Sequence, residues 1–219
     1  MVSSQDPPTP APDLLPELRQ QLGSSDPVER MRAARFFCDV EDPAAIPQLL
    51  TLLADPCLLV RVSAAYALGR NSRADIVPIL IKTFQQEWNG YVRKGLVWAL
   101  GNSQDPRALP VLAAAVQDDI AAVRLWAASA IGQLGAKVKT PTLLHEPIQI
   151  LLRGCQTDPV AAVRSNCAWA LGQLHPLLRD PQLGEWRQQV LEVLVQMQER
   201  DPDLSVQEDA RQAWQKLQS

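Results

Sequence analysis

The chain has no run of five or more basic residues and no apolar stretch near the roughly 18 residues that a bilayer span needs. Its 21 Lys and Arg nearly balance 24 Asp and Glu, for a net charge of -3 and a pI near 5.4. Nothing in that balance draws it to nucleic acid or to an anionic membrane. Histidine occurs only twice, at His145 and His175, beside prolines. With so few, no Ser/His/Asp set is suggested. The four cysteines, Cys38, Cys57, Cys155 and Cys167, include no C-x-x-C pair, so they read as small apolar fillers. G-x-x-x-x-G-K-[ST] and a helix-opening G-x-G-x-x-G are both missing. No alternating β-branched run signals a strand. The first residues, MVSSQDPPTPAP, lack the basic and apolar regions of a secretory signal. The expectation is a soluble cytoplasmic protein with no catalytic set, no metal and no cofactor.

What the chain does have is a repeat. Val-Arg recurs at Val60-Arg61, Val92-Arg93, Val123-Arg124 and Val163-Arg164. Six residues before each Arg stands an acid: Asp55, Glu87, Asp118 or Asp158. Six residues after it stands Ala67, Ala99, Ala130 or Ala170, and eight after it Gly69, Gly101, Gly132 or Gly172. Weaker copies begin at Arg30 and Gln207. The anchors 30, 61, 93, 124, 164 and 207 are therefore 31, 32, 31, 40 and 43 residues apart. Extra residues enter as GAKVKTPTLLHEP and HPLLRDPQLGEW, around 135–147 and 175–186. Such insertions are expected to map to loops.

Each repeat reads as two helices. The first runs from the Val-Arg to the glycine, where a left-handed cap is expected. The second is apolar, with Pro47, Pro78 or Pro110 near its start, where a missing N–H does least harm. One pair cannot bury both of its faces, so neighbours must stack into a continuous core. The repeated acid and arginine are expected to form a hydrogen-bonded ladder between neighbouring turns.

The pattern D-x-x-x-x-V-R-x-x-A-A-x-A-L-G resembles the HEAT repeat, in the variant named after the phycobilisome lyases of cyanobacteria. The resemblance covers roughly residues 26 to 218. It implies an all-α fold, a right-handed α-solenoid of about five to six HEAT-like hairpins. A flexible Pro-rich lead is expected at 1–12 and a single capped domain at 13–219. The resemblance also implies that the Val-Arg helix lines the concave side. Similar proteins include two-subunit phycocyanin bilin lyases, phycobilisome degradation factors and adaptors for iron–sulphur assembly.

A helical wheel locates the candidate surface. With Arg as position zero and 100° per residue, positions three, four and seven share the buried side. Positions two, five and nine point away from it. Position five holds Tyr66, Trp98, Ser129 and Trp169, and position two holds Trp126. Position nine holds Arg70, Asn102, Gln133 and Gln173, and position one adds Lys94. Aromatics and amides away from a core suit a partner-binding groove. Each tryptophan could instead pack across onto the next repeat. The favoured expectation is a non-enzymatic adaptor or assembly factor that grips a protein partner, such as a phycobiliprotein or another assembly factor. The alternative is a lyase subunit in which Trp98, Trp126 and Trp169 stack on phycocyanobilin while Arg70 or Lys94 pairs with its propionates.

Overall fold

The computed structural model describes residues 14–218. The lead expected at 1–12 lies outside the described residues. The chain is an α-solenoid: among the described residues there are twelve α-helices and no strand. They are α1 (Leu14–Gln21), α2 (Pro27–Phe36), α3 (Ile46–Leu52), α4 (Leu58–Arg70), α5 (Val77–Gln86), α6 (Gly90–Asn102), α7 (Leu109–Gln117), α8 (Ala121–Gly135), α9 (His145–Thr157), α10 (Ala161–Gln173), α11 (Gly184–Arg200) and α12 (Leu204–Gln218). The even-numbered helices carry the Val-Arg motif or its weaker copies. The chain divides into two compact units, Met1–Asn71 and Ser72–Ser219.

In the first unit α2 packs on α4, α1 on α2 and α3 on α4. Phe37, Leu49 and Leu68 are buried there. Asn71 ties the unit's turns together. Its Nδ2 donates to the carbonyls of Phe37 (3.1 Å), Val40 (3.3 Å) and Ala67 (2.9 Å), and its Oδ1 accepts from Asp42 N–H at 2.7 Å. A buried amide meets its requirement only when both ends find partners, as here.

In the second unit α6, α8, α10 and α12 stand side by side, while α7, α9 and α11 form a second row. Each odd-numbered helix packs on the even-numbered helix that follows it: α5 on α6, α7 on α8, α9 on α10 and α11 on α12. The even row, the inner row, is the more tightly packed of the two.

The wheel's buried side is correct. Leu96, Val97, Leu100, Ala127, Ala128, Ile131, Cys167, Ala168 and Leu171 have no exposed surface. The proline positions are also correct, since Pro47, Pro78 and Pro110 occupy the first turn of α3, α5 and α7. A single 3-10 turn precedes each of these helices, and Asp42 and Asp105 cap two of the turns by accepting from Ala44 N–H and Arg107 N–H.

The glycine caps are wrong. Every motif helix runs through its glycine, and among the described residues the one positive φ is at Gln104. In the second unit the glycines serve close approach instead. A Cβ on Gly101 would lie 2.8 Å from Ala130 Cβ. On Gly132 it would lie 2.8 Å from Ala170 Cα, and on Gly172 2.9 Å from Ala213 Cα. Position eight of one repeat thus seats against the position-six alanine of the next, which is why the even row packs tightly.

The insertions are not simple loops. They extend α8 to Gly135 and give long helices α9 and α11, leaving short turns with one 3-10 segment each. Val138, Leu144, Leu178 and Leu183 bury the turns against the core. The His145 and Trp186 rings meet between them, 6.0 Å apart.

Candidate binding surface

The ladder fixes how the even helices are held. In the first unit Arg30 donates from Nε to Asp55 at 2.7 Å and from Nη2 at 3.1 Å. In the second, Arg124 reaches Asp158 at 2.7 and 2.8 Å, and Arg164 reaches Asp201 at 2.7 Å from both nitrogens. Arg93 pairs with Asp119 through Nε at 2.8 Å and through Nη2, both on the one oxygen Oδ2. Each Nη1 also donates to a carbonyl of the turn before its own helix: Ser24, Glu87, Asp119 and Asp158. The third acid is Asp119, not the expected Asp118. Asp118 is exposed at the end of α7, and Asp119, one residue later, turns inward.

Burial alone would raise the carboxyl pKa of Asp158, but the Arg124 guanidinium and the Val160 N–H pull it below the usual range. Asp55 is lowered in the same way by Arg30 and the Cys57 N–H. At Asp201 the hydrogen bonds from Arg164 dominate and lower it. In the last copy Gln207 replaces the arginine. Its Nε2 keeps the carbonyl bond, to Asp201 O at 2.8 Å, without a charge.

The ladder holds one end of each helix, and positions one, two, five and nine of α6, α8 and α10 are half-buried or exposed apart from the buried Gly95. Trp98, Trp126 and Trp169 are each half-buried. Trp98 and Trp126 meet edge to face, with centroids 5.7 Å apart and planes at 86°. Lys94 Nζ lies 5.0 Å from the centroid of the Trp126 ring. Ser129 donates to Asn166 Oδ1, and Asn166 Nδ2 donates to Ala162 O at 3.0 Å. With its amide oriented to accept, Gln173 takes hydrogen bonds from Trp169 Nε1 (3.1 Å) and Lys216 Nζ (2.8 Å). Gln133 is exposed and Asn102 partly so. The tryptophans do pack across to neighbouring helices: Trp98 and Trp126 meet each other, and Trp169 lies against Gly132 of α8.

Tyr66 and Arg70 belong to the first unit. Tyr66 is half-buried, and burial, helped by Cys38, raises its hydroxyl pKa. Arg70 is exposed and lies 3.5 Å from Glu41, a pair too solvated to stabilise much. Sequence reasoning missed two contributors to the inner row. Asn166 is position two of its repeat and Lys216 is position nine of the last copy, so extending the register would have found both.

Among the described residues no group of three or more His, Cys, Asp or Glu side chains is placed to hold a metal ion. No described helix is long and apolar enough to cross a membrane.

Comparison with known proteins defines the class. Two overlapping stretches, residues 15–95 and 77–172, match the family of HEAT repeats. The chain belongs to that family. Among solved structures it is similar to Kap121p, at 18% identity and a TM-score of 0.78, covering 94% of this chain and 23% of that one. It is also similar to an archaeal HEAT-like repeats protein from Thermococcus onnurineus NA1, at 11% identity and a TM-score of 0.68, over 94% and 87% of the two chains. A designed armadillo repeat protein in complex with the peptide (KR)4 matches at 20% identity and a TM-score of 0.66, over 93% and 99%. At these identities the likeness is one of fold. No curated protein sequence matches the chain.

Proposed function

We propose that this protein is a non-enzymatic binding scaffold, an adaptor or assembly factor that acts in the cytoplasm and holds a protein partner on the inner row of its second unit. The observation that carries the reading is the set of three half-buried tryptophans, Trp98, Trp126 and Trp169, on successive even-numbered helices of one row. Partly exposed aromatics set beside polar side chains have the composition of binding hot spots. The ladder and the glycine–alanine contacts hold that row rigid, which lowers the ordering cost of association. Recognition of (KR)4 by the designed armadillo protein is a precedent for peptide binding on a related architecture. The motif's resemblance to the phycobilisome-lyase type suggests a phycobiliprotein or cofactor-assembly partner in a cyanobacterium. Degradation of phycobilisomes and iron–sulphur assembly are further roles within that resemblance.

A second reading is a subunit of a phycocyanobilin lyase. It is favoured by Lys94, whose ammonium over Trp126 beside Trp98 would suit a flat anionic tetrapyrrole.

The test is an affinity pull-down from a cyanobacterial lysate with wild type and with a Trp98→Ala, Trp126→Ala, Trp169→Ala variant shown to be helical by circular dichroism. A phycobiliprotein or assembly factor held by wild type and released by the variant supports the scaffold. A folded variant that retains every partner refutes it. Free bilin bound by wild type moves the assignment to the lyase.

A further inference from the structure

We infer that the binding face of the second unit continues onto the outer end of α6 and takes an amphipathic helix of the partner, laid lengthwise along α6 and α8. This rests on the scaffold reading and adds the form and direction of what is held.

The outer end of α6 carries apolar side chains that no packing within the chain explains. Trp88 is 82% exposed, Tyr91 72% and Ile120 54%. They lie together. A Cβ on Gly90, between Trp88 and Tyr91 in the chain, would run into Ile120 Cδ1. The Arg93–Asp119 ion pair ties the same two turns. Clustered aromatic and aliphatic side chains in solvent mark a contact surface.

Tyr91 also shares the side of α6 that carries Trp98. It is position minus two of its repeat, and at 100° per residue it falls among positions two, five and nine. Tyr91 and Trp98 are seven residues apart on one helix, about 10.5 Å along its axis. Ile120 and Trp126 are six residues apart at the start of the neighbouring α8, about 9 Å. The apolar contacts therefore run along the helices as well as across the row. That spacing selects a helix. A helix packed alongside returns the same side every two turns, about 10.8 Å. An extended segment returns it every second residue, so its same-side groups fall at about 6.6 and 13.2 Å and straddle the required distance.

The charge fits an apolar stripe with a basic residue at one end. Glu87 and the exposed Asp118 flank the outer cluster. The nearby cations are engaged: Arg93 with Asp119, Arg153 with Gln117, and Lys94 over the Trp126 ring. Asn89 caps α6, its Oδ1 taking Tyr91 N–H. A partner Lys or Arg would meet the two acids and could stack on Trp88. A second copy of the chain fits less well. Two aromatics offer about 300–500 Å² between them, against about 800 Å² per copy in a stable interface. Symmetric pairing would also bring Glu87 and Asp118 together with their own kind.

The test is fluorescence anisotropy of labelled helical peptides of about five turns against the full chain. One carries leucines at i, i+4, i+7 and i+11 with lysine at one end. Another has glutamate in place of that lysine. A third scrambles the first so that the leucines form no stripe. Phosphatidylcholine vesicles and sedimentation of the chain alone probe a membrane and a second copy. The lysine-ended stripe is expected to bind about tenfold tighter than the scrambled peptide and tighter than the glutamate-ended one, and to lose about tenfold in Trp88→Ser and in Tyr91→Ser. Both side chains are exposed, so these variants keep the fold. Equal binding of the scrambled peptide, preference for the glutamate end, wild-type affinity in both variants or no peptide binding overturns the inference. So does tighter binding to vesicles, or a dimer that the two variants dissolve. If the inference fails while the triple tryptophan variant still loses its partner, the scaffold reading stands without it. If that variant keeps its partner, the scaffold reading falls as well.

Discussion

A Cβ placed on Gly132 would lie 2.8 Å from the Cα of Ala170. That contact is with main chain and cannot be relieved by a rotamer. Alanine at this position gains helix propensity, about 1 kcal/mol, but overpacks the interface by about 1–3 kcal/mol. Gly132→Ala should therefore lower stability by about 1 kcal/mol in chemical denaturation, combining these two effects. Gly184, with nothing within 4 Å of its Cβ position, is the control, and Gly184→Ala should be neutral or slightly stabilising.

The ladder predicts coupling between distant residues of the sequence. Arg124 and Asp158 have side chains 15% and 7% exposed, so removing one leaves the other charge buried and unpaired. Asp158→Ala should cost about 3 kcal/mol. Adding Arg124→Ala should cost much less than a second such loss, and a double-mutant cycle in urea measures the difference.

The same carboxylates set an acid limit. Asp55, Asp158 and Asp201 have folded pKa values below their unfolded ones. The unfolded chain therefore binds protons first as pH falls. Their contribution is complete above the unfolded value, about 4, and is lost as pH falls through the folded values. The denaturation midpoint should be flat from neutral pH to about 5 and drop below about 4. Asp158→Asn should lower the plateau and flatten the drop.

Burial pushes the Cys38 thiol up to about 11, and its Sγ lies 3.5 Å from Ser63 O. Its reactive thiolate stays scarce until the pH approaches that value. Cys155, buried against Cys167, is also raised by burial. At pH 8 iodoacetamide should label Cys57 first and leave Cys38, Cys155 and Cys167 slow. Mass spectrometry of the peptides reads the order.

Much of this architecture was legible because the repeat is written in positions. Val-Arg, Ala and Gly at fixed spacing gave the helices, the buried side and the ladder. The role of the glycines was not legible, because a glycine at the end of an apolar run looks the same as a cap or as a contact. Only the neighbouring Ala170 or Ala213 distinguishes them. Asp118 and Asp119 are adjacent, and the choice between them depends on how the turn bends. The wheel placed Trp98, Trp126 and Trp169 on the outward side. The edge-to-face pair of Trp98 with Trp126 depends on helix spacing, which no single repeat encodes.

The central claim is that the even-helix face of the second unit does the binding. Gln133 on α8 and Gln149 on α9 are both exposed, one on each row. Gln133→Arg and Gln149→Arg add the same charge and bulk to the two faces at little cost in stability. Partner retention by each variant, measured side by side with wild type, tests the claim directly. The account predicts that Gln133→Arg weakens capture and Gln149→Arg does not. Loss with Gln149→Arg and full retention with Gln133→Arg would contradict it and move the surface to the other row.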